Sequence, residues 1–389
     1  MNRKEFLRYG SIITVGAFIA GSTGASAMTA FTEGEYSTNA SGKRPDPGDF
    51  DQPILKAIAL GINAPSAHNT QSWKFKVIND LEMELYVDEN MLLPATDPPS
   101  RQIHMGAGCF IETMVMGASR YGYSAEVSYF PEGYANEADF GVKPVARVAL
   151  NQTGIDKDPL ADFIEARQTS RMKYKGSLLS QRDYDKLVKQ AGKSYSTLTF
   201  INKGMAPYLD IFYRAMEIES RTYATNEETR EMFRFSEEER KAKGDGISIP
   251  QMGYKGMIER IAEKSLKNGD HDTWHSEKNI KNTMKGIKKG LDTTKGIVIW
   301  HTATNDFKDW VLSGRDYVRF SHAATKNGYF LHPYNQAIQE YKEMDGVRKE
   351  LDALLNIKSP QKIQMLVRIG KSDTPYLSYR RTLDSYLTK

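Results

Sequence analysis

The apolar positions fall into helical and strand-like segments that occur twice in the same order. A helical spacing runs through Ile54, Leu55, Ile58, Ala59 and Ile62, one face of a 3.6-residue period. It should stop near Asn63-Ala64-Pro65, because the residue before a proline is pushed out of the helical region. Residues 73–78 and 83–87 then alternate in the manner of a strand pair. A longer apolar helix follows through Ile111, Met114, Val115 and Ala118, and another through Tyr317, Val318, Phe320, Ser321 and Ala324. Gly108 precedes Gly122-Tyr123 by the interval that separates Gly314 from Gly328-Tyr329. Each Gly-Tyr reads as a helix stop with glycine in the left-handed position. Strand-like runs come later in both cases, at 145–150 and 365–369. Upstream, Pro53-Ile54-Leu55 and Pro159-Leu160 open two further helical stretches. This repeated order points to a duplication.

Between the repeats, at about 217–293, the pattern turns polar, with Glu237-Glu238-Glu239-Arg240-Lys241 and a lysine-rich run at 281–289. Such runs read as solvated helix faces. Gly244-Asp245-Gly246-Ile247-Ser248-Ile249-Pro250 within them is a loop signal. An excursion of this size, burying little, is a candidate lid that the two-half core should not need. Residues 28–50, rich in Ser, Thr, Gly, Pro and Asp, read as an exposed leader. Residues 1–27 have the three parts of a signal peptide: basic residues Arg3, Lys4 and Arg8, an apolar run at 12–20, and Ala25-Ser26-Ala27. That apolar run is too short for a comfortable permanent span. Arg3-Lys4-Glu5-Phe6-Leu7 is similar to a twin-arginine (Tat) signal with Lys4 in the second arginine's place. The expectation is export, to the periplasm, with no stable membrane span after processing. The halves are then expected at 51–155 and 156–389.

Composition narrows the function. A net charge of +4 over 389 residues, part of it in the leader, is too small to argue for nucleic acid. The single cysteine, Cys109, excludes an intrachain disulfide and a multi-cysteine metal site. Within Gly106-Ala107-Gly108-Cys109-Phe110 it reads as a small helix-packing residue. His271 and His275 have a spacing that could hold zinc, but no Glu stands beside the first histidine and no further ligand is evident. No metal site is expected. Ser66 is not in a Gly-x-Ser-x-Gly elbow, and no Gly-x-Gly-x-x-Gly follows a strand, which argues against a serine hydrolase and a Rossmann domain.

The richest stretch is Ala64-Pro65-Ser66-Ala67-His68-Asn69-Thr70-Gln71-Ser72-Trp73. Its amide side chains both donate and accept, as a flavin's pyrimidine edge requires; an Asx-rich turn that satisfies only itself is the alternative. Arg167-Gln168-Thr169-Ser170-Arg171 has the chemistry of a phosphate clamp, two guanidinium forks with hydroxyls between them. A solvated polar helix end is the other reading.

These pieces resemble the nitroreductase family, whose Pro-Ser-x-x-Asn-x-Gln-Pro-Trp stretch is matched at 65–73 with Ser72 replacing the proline. With Asp97-Pro98-Pro99-Ser100-Arg101-Gln102, Asp309-Trp310 before Gly314-Arg315, Asn335-Gln336 and Tyr379-Arg380-Arg381, their order is similar to the duplicated, FMN-binding Acg-type branch. The resemblance implies an α+β nitroreductase-like fold: two pseudo-symmetric halves with mostly antiparallel sheets and long packed helices, a monomer imitating a dimer. It implies FMN held by Pro65, Ser66, His68, Asn69 and Gln71 from one half. From the other come Arg167, Thr169, Ser170, Arg171, Asn335, Gln336, Arg380 and Arg381. The second pseudo-equivalent place, at 60–63, is apolar, so one FMN per chain is implied. Chemistry would belong to the cofactor, passing electrons from a donor such as NAD(P)H to a small nitro or quinone-like acceptor, and no catalytic acid or base is named. The alternatives are an exported flavin-sequestering protein with an occluded site and a metal hydrolase.

Overall fold

The computed structural model describes residues 44–388, so the expected signal at 1–27 and most of the leader lie outside the described residues. Pro53–Gly61 (α1) opens on a proline, whose fixed φ suits a first helical turn. Trp73–Asn79 (β1) and Glu82–Val87 (β2) form the expected hairpin, followed by Arg101–Ser119 (α2), Tyr123–Tyr129 (β3) and Ala146–Gln152 (β4). The second half starts with Gln181–Ala191 (α3) and Thr197–Ile201 (β5). The chain then leaves the sheet through Ala206–Arg221 (α4), Tyr223–Glu231 (α5), Phe233–Arg234 (β6), Glu237–Lys243 (α6) and Ile247–Ser248 (β7). Gly256–Ser265 (α7), His271–His275 (α8) and Glu277–Leu291 (α9) bring it back to Gly296–Thr302 (β8). Phe307–Lys326 (α10), Phe330–Pro333 (β9), Asp345–Leu354 (α11) and Lys362–Gly370 (β10) complete it.

Apart from the short parallel pair β6-β7, the strands form two four-stranded sheets with orders β1-β2-β4-β3 and β5-β8-β10-β9, antiparallel throughout. In both, the first, second, fourth and third strands lie side by side, with the long helix between second and third. The fold is α+β with two pseudo-symmetric halves. The polar excursion sits between β5 and β8, where the first half has only a tight turn.

The long helices α2 and α10 cross where glycines remove the side chains. A Cβ at Gly108 would stand 1.8 Å from the Val311 carbonyl oxygen, and one at Gly314 2.0 Å from that of Met105. The contact maps onto itself when the halves are exchanged, the property of a two-fold interface. Gly122 and Gly328 adopt φ of 78° and 72°, as their helix-stop role requires. A single core spans both halves, with Trp73, Phe75 and Phe110 from the first and Val298, Trp300 and Phe320 from the second. The C-terminal tail returns to the first half: Phe75 N donates to the Tyr386 carbonyl and Thr388 N to that of Phe75, both at 2.8 Å.

Three expectations need correction. The helical stretch opening at Pro159-Leu160 is only a short 3-10 turn, Ala161–Phe163; the counterpart of α1 is α3, capped by the Ser180 hydroxyl and burying only Tyr184 and Leu187. The excursion does not bury little. Leu291 of α9, with the partly buried Ile218 of α4 and Ile287 of α9, joins the core of Ile297 and Ile299, and Phe233, Phe235, Ile249, Ala262, Leu266 and Trp274 form a core of their own. The leader is not exposed to its end: Phe50 packs on the main core and Arg44 is half-buried.

Candidate functional site

The halves meet at the loop following α1. Within it His68, Asn69 and Gln71 take φ of 46°, 57° and 53°, left-handed values that cost non-glycine residues about 1 kcal/mol or more each. Side-chain amides hold this backbone in place. Gln71 Nε2 donates to the carbonyls of Asn69 (2.9 Å) and Gly244 (3.0 Å), and its Oε1 accepts from Arg381 N and the Tyr386 hydroxyl. Asn69 Nδ2 donates to the carbonyls of Gly246 (3.2 Å) and Tyr379 (3.3 Å), while its Oδ1 accepts from Arg380. Ser66 Oγ accepts from Gln71 N at 3.0 Å.

Two adjoining cavities open beside the loop. The smaller, about 50 Å³, is lined by the guanidinium side chains Arg44, Arg167, Arg171 and Arg380 and by no carboxylate. Arg167 is 4% exposed, and its Nε and Nη1 have no hydrogen-bond partner. Arg380 is different. Its donors go to the carbonyls of Ile62, Asn63, Ala64 and Tyr379 and to Asn69 Oδ1, so it caps the end of α1 while lending charge to the pocket. Burial, then Arg167, lowers the Arg380 pKa to about 9. Burial, then Arg380 and Arg167, holds Arg44 well below its ordinary value. Burial also lowers Arg167 and Arg171. So many desolvated cations without an acid among them call for an anion.

The larger cavity, about 740 Å³, shares Pro65, Ser66, Thr169, Arg171 and Ile247 with the smaller, and its size is that of a small-molecule site. Its apolar walls include Met105 from α2, Met216 from α4, and Phe233, Ile258 and Trp274 from the excursion, which therefore forms one side of it. Polar atoms face it without partners: His68 Nδ1, the Tyr317 hydroxyl and Gln336 Oε1. Burial and then Arg171 lower the His68 pKa to about 4. At one side lies Glu219, raised to about 7 mainly by burial despite hydrogen bonds from Gln339 (2.6 Å) and Gln336 (3.4 Å).

Among the expected site residues, Pro65, Ser66, His68, Asn69, Arg167, Thr169, Arg171, Asn335, Gln336 and Arg380 line one or both cavities. Gln71, Ser170 and Arg381 line neither. Gln71 is spent on the loop, Ser170 Oγ pairs with Ser372 Oγ at 2.8 Å, and Arg381 binds the Thr70 and Gln71 carbonyls and stacks over Tyr386. Asn335 lines the cavity, but its amide engages Gln102, Met365 and Leu366 N. Arg44, Tyr317 and Glu219 were missed. Only Tyr317 had a usable signal, a polar group on the helix face that carries the glycine contact. Cys109 lines the cavity as a thiol donating to the Gly314 carbonyl at 3.2 Å, its pKa pushed up to about 12 by burial.

Elsewhere the fold brings Glu227 to His271 and His275. Trp274 Nε1 donates to Asn226 Oδ1 at 2.8 Å, which turns the Asn226 amide nitrogen toward His275 Nδ1. His275 Nε2 is then the protonated nitrogen donating to Glu227 at 2.7 Å, and Arg230 binds both Glu227 oxygens. The Glu227 carboxylate is thus shared between Arg230 and His275 in one hydrogen-bonded network.

No protein-family model matches the chain. A Mycobacterium tuberculosis protein provisionally named an NAD(P)H nitroreductase is 30% identical over 123 residues, 31% of this chain and 34% of that protein. The Acg protein of the same organism, with the same provisional name, is 32% identical over 78 residues, 20% of this chain and 23% of its own length. The chain thus aligns with about a third or less of these relatives' length, and there the similarity is to the nitroreductase family. Among solved structures, a Bacteroides fragilis nitroreductase with bound FMN has a TM-score of 0.34 at 13% identity, covering 59% of this chain and 98% of that one. A Mycobacterium smegmatis FMN-dependent nitroreductase in complex with NADPH has a TM-score of 0.33 at 14% identity, covering 59% and 97%.

Proposed function

We propose that this chain, similar to nitroreductases over about a third of its length, is an exported FMN-dependent oxidoreductase. Its two halves, 51–155 and 156–389, would act as a monomer imitating a dimer. When bound, FMN supplies two-electron transfer between a donor such as NAD(P)H and a small nitro or quinone-like acceptor. The observation that carries the reading is the four-arginine pocket, with Arg167 donors unpartnered, opening onto a larger and mostly apolar cavity. A ligand with a doubly charged end and a broad flat body fits that pairing. Arg167 and Arg171 would take the phosphate, Thr169 and Ser66 would border the junction, and His68 and Tyr317 would face the body. Gln71 and Asn69 act by holding the strained loop rather than by touching the ring.

The excursion walls the large cavity, which favours flavin sequestration as a second reading. Anaerobic addition of NADH and of NADPH to the FMN-loaded protein separates the two. Bleaching of the flavin absorbance, restored by a quinone or nitroaromatic, supports the oxidoreductase. Bound flavin that neither nucleotide reduces supports sequestration, and a purified protein that takes up no FMN contradicts both.

A further inference from the structure

Arg44 stands in a segment whose composition says leader, yet its guanidinium reaches the small pocket beside Arg167 and Arg380. We propose that residues 44–50 form a strap closing the anion pocket, with Arg44 as a further binding residue for the doubly charged end of the ligand. This rests on reading that pocket as an FMN phosphate site.

The strap is pinned at both ends. Arg44 Nη1 donates to Asn63 Oδ1 at 2.6 Å, and its Nε and Nη2 donate to the Ser378 carbonyl at 3.2 and 2.7 Å. At the other end Phe50 packs on the core. Between them Asp46 accepts from Gly48 N at 2.8 Å and starts the turn Pro47–Asp49. The three bonds use one N–H on each Arg44 nitrogen, so one remains on each terminal nitrogen. Arg380 has no such surplus, because the protein takes its donors. Free donors at the pocket therefore belong to Arg44, Arg167 and Arg171, from two separate places in the chain, the strap and the 167–171 segment. Glu165, the acid whose charge favours the Arg44 cation, is already committed to Arg120 through contacts of 2.6 and 2.7 Å. A dianion is the partner that offsets this arrangement, and it would tie the strap to the 167–171 segment of the second half.

Riboflavin has the ring of FMN without the phosphate, so a pair of titrations isolates the pocket. Apo-protein is titrated with each flavin by fluorescence quenching, as wild type, Arg44→Ala and Arg44→Lys. The expected result is a strong preference of the wild type for FMN. Arg44→Ala should lose about tenfold or more in FMN affinity with riboflavin nearly unchanged, and Arg44→Lys should recover part of the loss. An unchanged ratio of FMN to riboflavin affinity in Arg44→Ala overturns the inference and leaves the phosphate site standing. Equal loss of both flavins in both variants also overturns it, showing that Arg44 only holds the fold. A wild type without preference for FMN removes the phosphate reading itself.

Discussion

At Gln71 the amide is committed to the protein, although its residue type suggested a ligand contact. The type of chemistry was legible there and the partner was not, because Gly244 and Tyr386 reach the loop only through the tertiary fold. Arg44 is the converse case: nothing in a Ser-, Gly- and Pro-rich segment distinguishes one arginine, and its role arises from Asn63 and Ser378. Glu219 permits a residue-scale test. Its carboxyl is raised to about 7 by burial, so the folded protein holds a proton that the unfolded chain gives up near pH 4.5. Its contribution is therefore intact below about pH 4.5 and lost as pH rises toward 7, a penalty of about 3 kcal/mol at most. Glu219→Gln removes this titration. Urea unfolding at pH 5 and pH 8 should show the variant gaining on wild type at the higher pH, and a difference that does not change with pH would contradict the assignment.

Elements with strong apolar periodicity were readable directly: β1, β2, α2, α10 and the end of α1 all fall where the pattern puts them. Helix α3 was not, although Tyr184, Leu187, Val188 and Ala191 repeat at helical spacing, because the run from Leu160 to Ala166 was read as the helix in its place and is only a 3-10 turn at Ala161–Phe163. The matched glycine spacing was the best clue to the duplication, and the crossing of α2 and α10 supplies its cause. Gly314→Ala places a methyl against the Met105 carbonyl and should cost about 3 kcal/mol, at the upper end of ordinary overpacking. Adding Gly108→Ala should cost less than a second full increment, since both force the same separation. Urea midpoints measure both, and a single variant within about 0.5 kcal/mol of wild type would mean that the helices do not approach so closely.

For the molecule as a whole, the excursion is the part that sequence reading misjudged. Its charged stretches are real, but α4 and α9 complete the second-half core and residues 244–254 border both cavities. Replacing 244–254 by a Gly/Ser linker should therefore weaken FMN and riboflavin alike, because without the Asp245 bond to Arg234 and the buried Ile247 and Ile249 the Gly244 and Gly246 carbonyls are no longer fixed against the Gln71 and Asn69 amides. Faster reduction by dithionite at unchanged affinity would instead restore a simple lid. If the arginine pocket holds the phosphate of a flavin whose ring fills the larger cavity, an equilibrium titration of FMN against wild type and the Arg167→Ala/Arg171→Ala double variant will separate the two proteins. Charge-assisted hydrogen bonds contribute about 1.5–3 kcal/mol each, so the double variant should lose about a hundredfold or more in affinity, and affinities within about twofold of each other would show that the pocket does not hold the phosphate.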